Sequence, residues 1–198
     1  MEEFIVPVVI PGIEITTPRL VMRQWCEEDL APFAAMNADP KVMEYFPATL
    51  TREQSDDMAQ RCSALIAERG WGIWALETRE DGKFIGFLGL HTPGYNLPFT
   101  PCVEIGWRLC ADAWGKGLAS EAARAAFDVG FNRLNLNEIV AFTALPNIRS
   151  QALMQRMGMS LSPDENFDHP AVEAGSWLQE HCLYRLHRDD WVAVQSRL

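Results

Sequence analysis

Val103-Glu104-Ile105-Gly106-Trp107-Arg108-Leu109, followed after a short loop by Trp114-Gly115-Lys116-Gly117-Leu118-Ala119-Ser120-Glu121, is the most informative stretch of this 198-residue chain. The spacing predicts a strand over 102–109. It predicts the longest helix over 114–134, with Leu118, Ala122, Ala125 and Val129 on one stripe. A strand therefore feeds a glycine-rich turn that opens a helix. The first N–H groups of such a helix lack partners and sit at the positive end of its dipole, so they attract a phosphate or pyrophosphate. Gly115 and Gly117 let a ligand approach the backbone, and the small Ala119 keeps that approach clear.

Alone, the stretch also admits a tight turn with no ligand. A nicotinamide-dinucleotide site is a further reading, since Gly115-x-Gly117-x-x-Ser120 approximates G-x-G-x-x-G/A, with Glu138 placed for a ribose. Against it, the turn follows hairpin-like strands past mid-chain, and the third glycine is missing. No G-x-x-x-x-G-K-[ST] occurs, which excludes a P-loop.

Upstream, residues 20–25 read as a strand. An acidic-led helix then runs to about Ala38 and stops at Asp39-Pro40. Thr51 and Gln54 form a capping box for a helix closed by Gly70. Strands over 71–78 and 83–90 flank the turn Glu80-Asp81-Gly82, and a loop with Pro93, Pro98 and Pro101 follows. Downstream come a strand over 138–144, a short helix over 147–157 ended by Gly158, a loop over 162–174 and a strand over 182–186. Hairpins mixed with strand–helix–strand units imply an α/β chain with a mixed sheet flanked by helices.

A hydrophobic fraction of 48% with 22% charged residues suits one globular domain. The formal charge of −10 disfavours nucleic acid and slightly favours a cationic acceptor. Five scattered cysteines, with no C-x-x-C and no zinc spacing, read as free thiols in the cytoplasm and give no metal site. The acidic Met1-Glu2-Glu3 start is unlike a secretory signal, and no apolar run is long enough for a membrane.

Trp114-Gly115-Lys116-Gly117-Leu118-Ala119 resembles the [QR]-x-x-G-x-[GA] signature of the GNAT superfamily of N-acetyltransferases, in the W-G-K-G-x-A form of its ribosomal-protein N-terminal acetyltransferase branch. Asn147-Ile148-Arg149-Ser150, with Leu153 and Gly158-Met159, resembles the family's N-x-x-[AS]…G-[FM] pattern. Thr17-Pro18-Arg19-Leu20, Arg23, the Ile85-Gly86-x-x-Gly89 strand and Tyr184-Arg185 also fall at family-like places. The resemblance covers residues 16–191. It leaves 1–15 as an extension and 192–198 as a tail.

The resemblance implies a mostly antiparallel sheet of six to seven strands, splayed between the fourth and fifth. It further implies acetyl-CoA as donor, a primary amine as acceptor (a protein N-terminus or a small amine), direct transfer in a ternary complex, and a monomer or homodimer. The backbone N–H groups of residues 115–119 would hold the pyrophosphate within a cofactor-binding stretch from Trp114 to Ser120, and the backbone of Trp107, Arg108 and Leu109 would hold the pantetheine arm. The N–H of Trp107 or Leu109 would meet the oxyanion. Asn147 would bind the pantetheine amides. Glu104 is the candidate base and His91 its rival. Many relatives carry a Tyr as general acid where this chain has Met154, which leaves Ser150 as the candidate donor to the leaving thiolate. Tyr45 and Trp74 are candidate walls of the acceptor cleft, with Phe46 and Trp71 beside them. His169 and His181 recur in this branch without an assigned role. A non-catalytic acyl-CoA-binding module is the alternative.

Overall fold

The computed structural model describes residues 12–195; the acidic start and most of the 1–15 extension lie outside the described residues. In chain order come β1 (Ile15–Thr16), β2 (Leu20–Arg23), α1 (Leu30–Ala38), α2 (Arg52–Arg69), β3 (Ile73–Thr78), β4 (Phe84–His91), β5 (Glu104–Leu109) and α3 (Leu118–Asp128). The second half holds β6 (Glu138–Ala144), α4 (Ile148–Arg156), β7 (Ser160–Leu161), β8 (Phe167–Asp168), β9 (Glu180–His187) and α5 (Arg188–Gln195). They form one sheet in the order β1-β2-β3-β4-β5-β6-β9-β7, with β8 also paired to β9. The six longer strands match the count expected from the sequence. The two-residue β1, β7 and β8 are too short to leave a periodic signal. α5 runs across the boundary drawn at residue 191, and Trp191 stacks near Phe127 and Phe131, with centroids 5.3 and 6.2 Å away.

Every pairing is antiparallel except β5 with β6, which run parallel and meet at one residue pair, Glu104 with Val140. Beyond it the strands diverge, and the sheet opens into two wings. The expected splay lies here, one number later because β1 shifts the count. Leu20, Met22, Trp74, Leu76, Leu88, Leu90, Phe127 and Tyr184 are all fully buried, so one core ties the helices to both wings.

Local signals set the helix ends. Thr51 Oγ1 accepts from the Gln54 N–H at 3.2 Å, and Gln54 Oε1 accepts from the Thr51 N–H at 2.9 Å, closing the capping box of α2. Asp39 ends α1 as anticipated. α3 differs from its expectation: it starts at Leu118, not at Trp114, because Gly115 and Gly117 adopt φ of +73° and +75°, which no right-handed helix contains. Its far end widens at Val129–Arg133 into a π-turn, with the Leu134 N–H donating to Val129 O at 2.9 Å.

Candidate active site

Ladder alternation fixes which backbone groups of β5 face the gap between the wings. The Cys110 N–H donates to Ile85 O at 2.9 Å, and the register continues unbroken to His91 with Glu104. Residues 104, 106 and 108 therefore point N–H and C=O at β4, while 105, 107 and 109 point theirs at β6. Ile105 lies within the single β5–β6 contact. Trp107 and Leu109 lie past it, where β6 has turned away. The backbone of Arg108, expected to meet a ligand, is instead committed to β4. One more group is taken as well: the Trp114 indole Nε1 donates to Leu109 O at 2.9 Å. Among the described residues, the N–H of Leu109 and both backbone groups of Trp107 remain without a partner.

The turn that follows is pinned from outside. Arg19 Nη1 donates to Lys116 O at 2.8 Å, and its Nε reaches Glu121 Oε2 at 2.6 Å. Glu121 Oε1 also accepts from the Thr17 hydroxyl and the Arg19 N–H. Gly117 is the N-cap of α3 and has no side chain to offer, so the first-turn N–H groups of Leu118, Ala119 and Ser120 have no cap. A Cβ on Gly115 would meet nothing within 4 Å, which leaves open space above the turn. Leu118 and Ser120 are buried, and Ser120 Oγ accepts from Arg156 of α4 at 3.2 Å. Uncapped donors, a dipole and a clear approach suit a pyrophosphate.

On the other wing, Asn147 caps α4. Its Oδ1 accepts from the Ser150 N–H at 3.2 Å, and its Nδ2 donates to Thr143 Oγ1 at 2.9 Å and Ser150 Oγ at 3.1 Å. The amide assigned to the pantetheine is thus already used as a cap. Ser150 Oγ accepts this bond and retains its own proton. Met154, at the position where relatives carry a Tyr, is buried in the core and has no proton to donate.

The two rival bases turn out to be partners. His91 and Glu104 face each other across β4 and β5, with Nε2 and Oε2 3.0 Å apart. Burial holds the Glu104 carboxyl above the usual range, against the opposing pull of His91. Burial would lower His91, but the hydrogen bond and charge of Glu104 raise it above an ordinary imidazole. Gly106, the next residue on this face, leaves the pair uncovered: a Cβ there would lie 3.8 Å from His91 Nε2 and 4.0 Å from Glu104 Oε1.

The candidate acceptor walls divide. Trp74 is fully buried, its Nε1 donating to Ile13 O at 2.8 Å, so it belongs to the core and walls no cleft. Its strand neighbours on both faces are buried as well, so no alternation marks which face is covered. Trp71 lies under the Arg69 guanidinium at 3.9 Å. Tyr45 stands in the connector between α1 and α2, 6.0 Å from the ring of the exposed Trp177.

Arg149 bridges the wings. Its Nη2 meets Glu44 Oε2 at 2.5 Å, while its guanidinium lies 4.3 Å from the Trp114 ring and 5.7 Å from Tyr45. The sequence reading missed it, although a cation in the first turn of a helix opposes the dipole and so marks an unusual site. His169 and His181 sit 4.8 Å apart among Tyr95, Phe99, Phe142 and Phe167, and burial lowers His181 to about 4, so both ring faces are neutral near pH 7. Among the described residues no three His, Cys, Asp or Glu side chains are grouped to hold a metal ion, and no helix is long and apolar enough to cross a membrane.

A model of the acetyltransferase (GNAT) domain matches residues 19–160. YnaD of Bacillus subtilis, described as an uncharacterized N-acetyltransferase, is 28% identical over 180 residues, which are 90% of this chain and 99% of that one. A GNAT-family acetyltransferase from Bacillus anthracis gives a TM-score of 0.74 at 23% identity, covering 89% of this chain and 99% of its own. RimL, the ribosomal L7/L12 alpha-N-protein acetyltransferase solved with coenzyme A, gives 0.71 at 16% identity, covering 90% and 99%; at that identity the likeness is one of fold. With a splayed sheet, an uncapped glycine turn and a family match over well over half its length, the chain belongs to the GNAT family of acetyltransferases and is an acyltransferase.

Proposed function

We propose that the enzyme transfers an acetyl group from acetyl-CoA to a primary amine by direct attack in a ternary complex. The observation that carries this reading is the set of groups supplied beside the single β5–β6 contact: uncapped N–H donors at the start of α3, the Ser150 hydroxyl, which accepts from Asn147, at the start of α4, and the Glu104–His91 pair where the strands meet. Bound acetyl-CoA supplies an activated acyl group as its thioester. The N–H groups of Leu118, Ala119 and Ser120, with the cation of Arg19 beside Gly117, hold the pyrophosphate. The Trp107 or Leu109 N–H stabilises charge developing on the acetyl oxygen, an interaction of about 3 kcal/mol in other enzymes.

Glu104 takes the amine proton. Its raised pKa makes it a better base than a surface carboxylate once ionised. The His91 side chain is 31% exposed against 11% for Glu104, so His91 is the outlet for that proton to solvent. Ser150 donates toward the departing thiolate, whose reference pKa of about 8.5 asks for little help. We read the acceptor as a small amine or a protein N-terminus, and the enzyme as a cytoplasmic monomer or homodimer with no nucleic-acid or membrane partner.

Thermal shifts test the donor half. CoA raises the melting temperature and NAD(P) does not, because a ligand that binds only the native state stabilises it. Gly117→Glu, which places bulk and negative charge at φ +75°, abolishes the shift. A CoA shift undiminished in that variant moves the pyrophosphate elsewhere and overturns the reading.

A further inference from the structure

Arg108 stands on the same face of β5 as Glu104 and Gly106, because side chains two apart along a strand share a face. It is 8% exposed. A guanidinium offers five N–H donors. Here Nη1 donates to Asn37 Oδ1 at 2.6 Å, and Asn37 in turn donates to Ser55 Oγ at 2.8 Å. Nε is shut off from solvent with no acceptor, and Nη2 has none among the described residues. Phe46 covers the guanidinium at 4.1 Å, and the Phe87 ring lies at 5.4 Å. Burial lowers its pKa to about 10, against a small opposing pull from Cys62, so it stays charged at neutral pH.

The contrast with its neighbours is informative. Arg23, also set into the fold, is paired with both Asp29 and Glu77, and Arg185 with both Glu138 and Glu165. Among the described residues Arg108 has no carboxylate partner, although an unpaired buried charge is costly. Its unused edge, Nε with Nη2, is the two-donor fork that fits a carboxylate.

We infer that Arg108 anchors a carboxylate of the acceptor, so the amine that is acetylated belongs to an amino acid or a similar small molecule carrying both groups. The inference rests on the acetyltransfer reading above and adds the substrate class. Four strand steps, about 13 Å of backbone, separate Glu104 from Arg108. The floor between them is Gly106, above which a Cβ would touch only the His91–Glu104 pair. An acceptor lying along this floor sets its amine at the pair and its carboxylate toward Arg108. Phe46, 37% exposed and carried by the α1–α2 connector, is the ring that shifts to admit it. The overall charge of −10 does not oppose this, since surface charges are screened beyond about 10 Å, whereas the buried guanidinium touches its ligand directly.

Thiol release from acetyl-CoA, measured with free amino acids, their carboxamides and the corresponding simple amines, tests the assignment. The wild type prefers the acid over the carboxamide by tenfold or more in kcat/KM, about the strength of a hydrogen bond to a charged group, and mostly through KM. Arg108→Gln brings the ratio of acid to carboxamide close to one. Arg108→Lys, which keeps the charge and loses the fork, falls between. If Arg108 only ties α1 to the sheet, Arg108→Gln slows acid and carboxamide by the same factor, and the inference fails. Equal wild-type rates for acid and carboxamide also overturn it, and that comparison stands even if the variants do not fold. Such a result leaves acetyltransfer intact, whereas CoA binding without release to any amine removes both.

Discussion

Glu104 and His91 are thirteen positions apart, and nothing in their spacing pairs them; only the β4–β5 register sets them 3.0 Å apart. Sequence reasoning could name each as a base because each is a titratable group near a strand end. It could not see that the two side chains meet. The consequence is a specific pH dependence. Burial keeps the Glu104 carboxyl protonated to a higher pH than an ordinary one, so the wild-type rate climbs as pH rises through that displaced range. Glu104→Gln removes this step and leaves the rate to follow the ionisation of the free amine. Turnover in the variant should fall about a hundredfold near neutrality, with the deficit narrowing as pH rises. The CoA-induced thermal shift should stay close to that of the wild type. A pH–rate profile parallel to the wild-type one would place the base on another residue.

Elements were legible where a local rule acts alone. The Thr51–Gln54 box, the Asp39 stop and the Gly70 cap each need only their own neighbours, and each stands where the residues put it. The start of α3 was misread because helical spacing continues smoothly through Trp114 while two glycines at positive φ interrupt the backbone. Trp74 was misread because both faces of β3 are covered and the alternation that would reveal its direction is lost. Gly89 shows the same limit from the other side: a family-like glycine in the sequence, it is in the structure a point of backbone contact between β4 and β3. A Cβ there would lie 2.0 Å from Gly72 O and 2.7 Å from Ile73 Cα. Neither neighbour is a flexible side-chain end, so the strands must part. Gly89→Ala should cost about 3 kcal/mol, at the upper end for overpacking, and lower the melting temperature by roughly 10 °C for a chain of this size. Differential scanning calorimetry reads this directly; a shift under about 2 °C would mean the strands yield freely.

The molecule as a whole is organised by one unfinished pairing. Strand count, mixed connectivity and a turn before a long helix could be read along the chain, but the gap between β5 and β6 is a relation between strands about thirty positions apart, and only the resemblance supplied it. Its physical content is in the backbone. Ile105 lies at the single contact with Val140, whereas the N–H groups of Trp107 and Leu109 point into the opening with no strand opposite. Unpaired amides in an open groove exchange readily with solvent, while those in a closed ladder are protected. Hydrogen exchange on the free enzyme should therefore find Trp107 and Leu109 fast and Ile105 and Val140 slow, within a strand whose other residues are held by β4. If the pantetheine arm of CoA lies along this strand, adding CoA should slow Trp107 and Leu109 by tenfold or more and leave Ile105 unchanged. The first-turn amides of α3, Leu118 to Ser120, should slow with them, because a single ligand would cover both places. Protection appearing at the α3 turn alone would mean that the pyrophosphate is held but the chain of the ligand leaves the gap by another path. In that case neither amide of β5 could meet the acetyl oxygen.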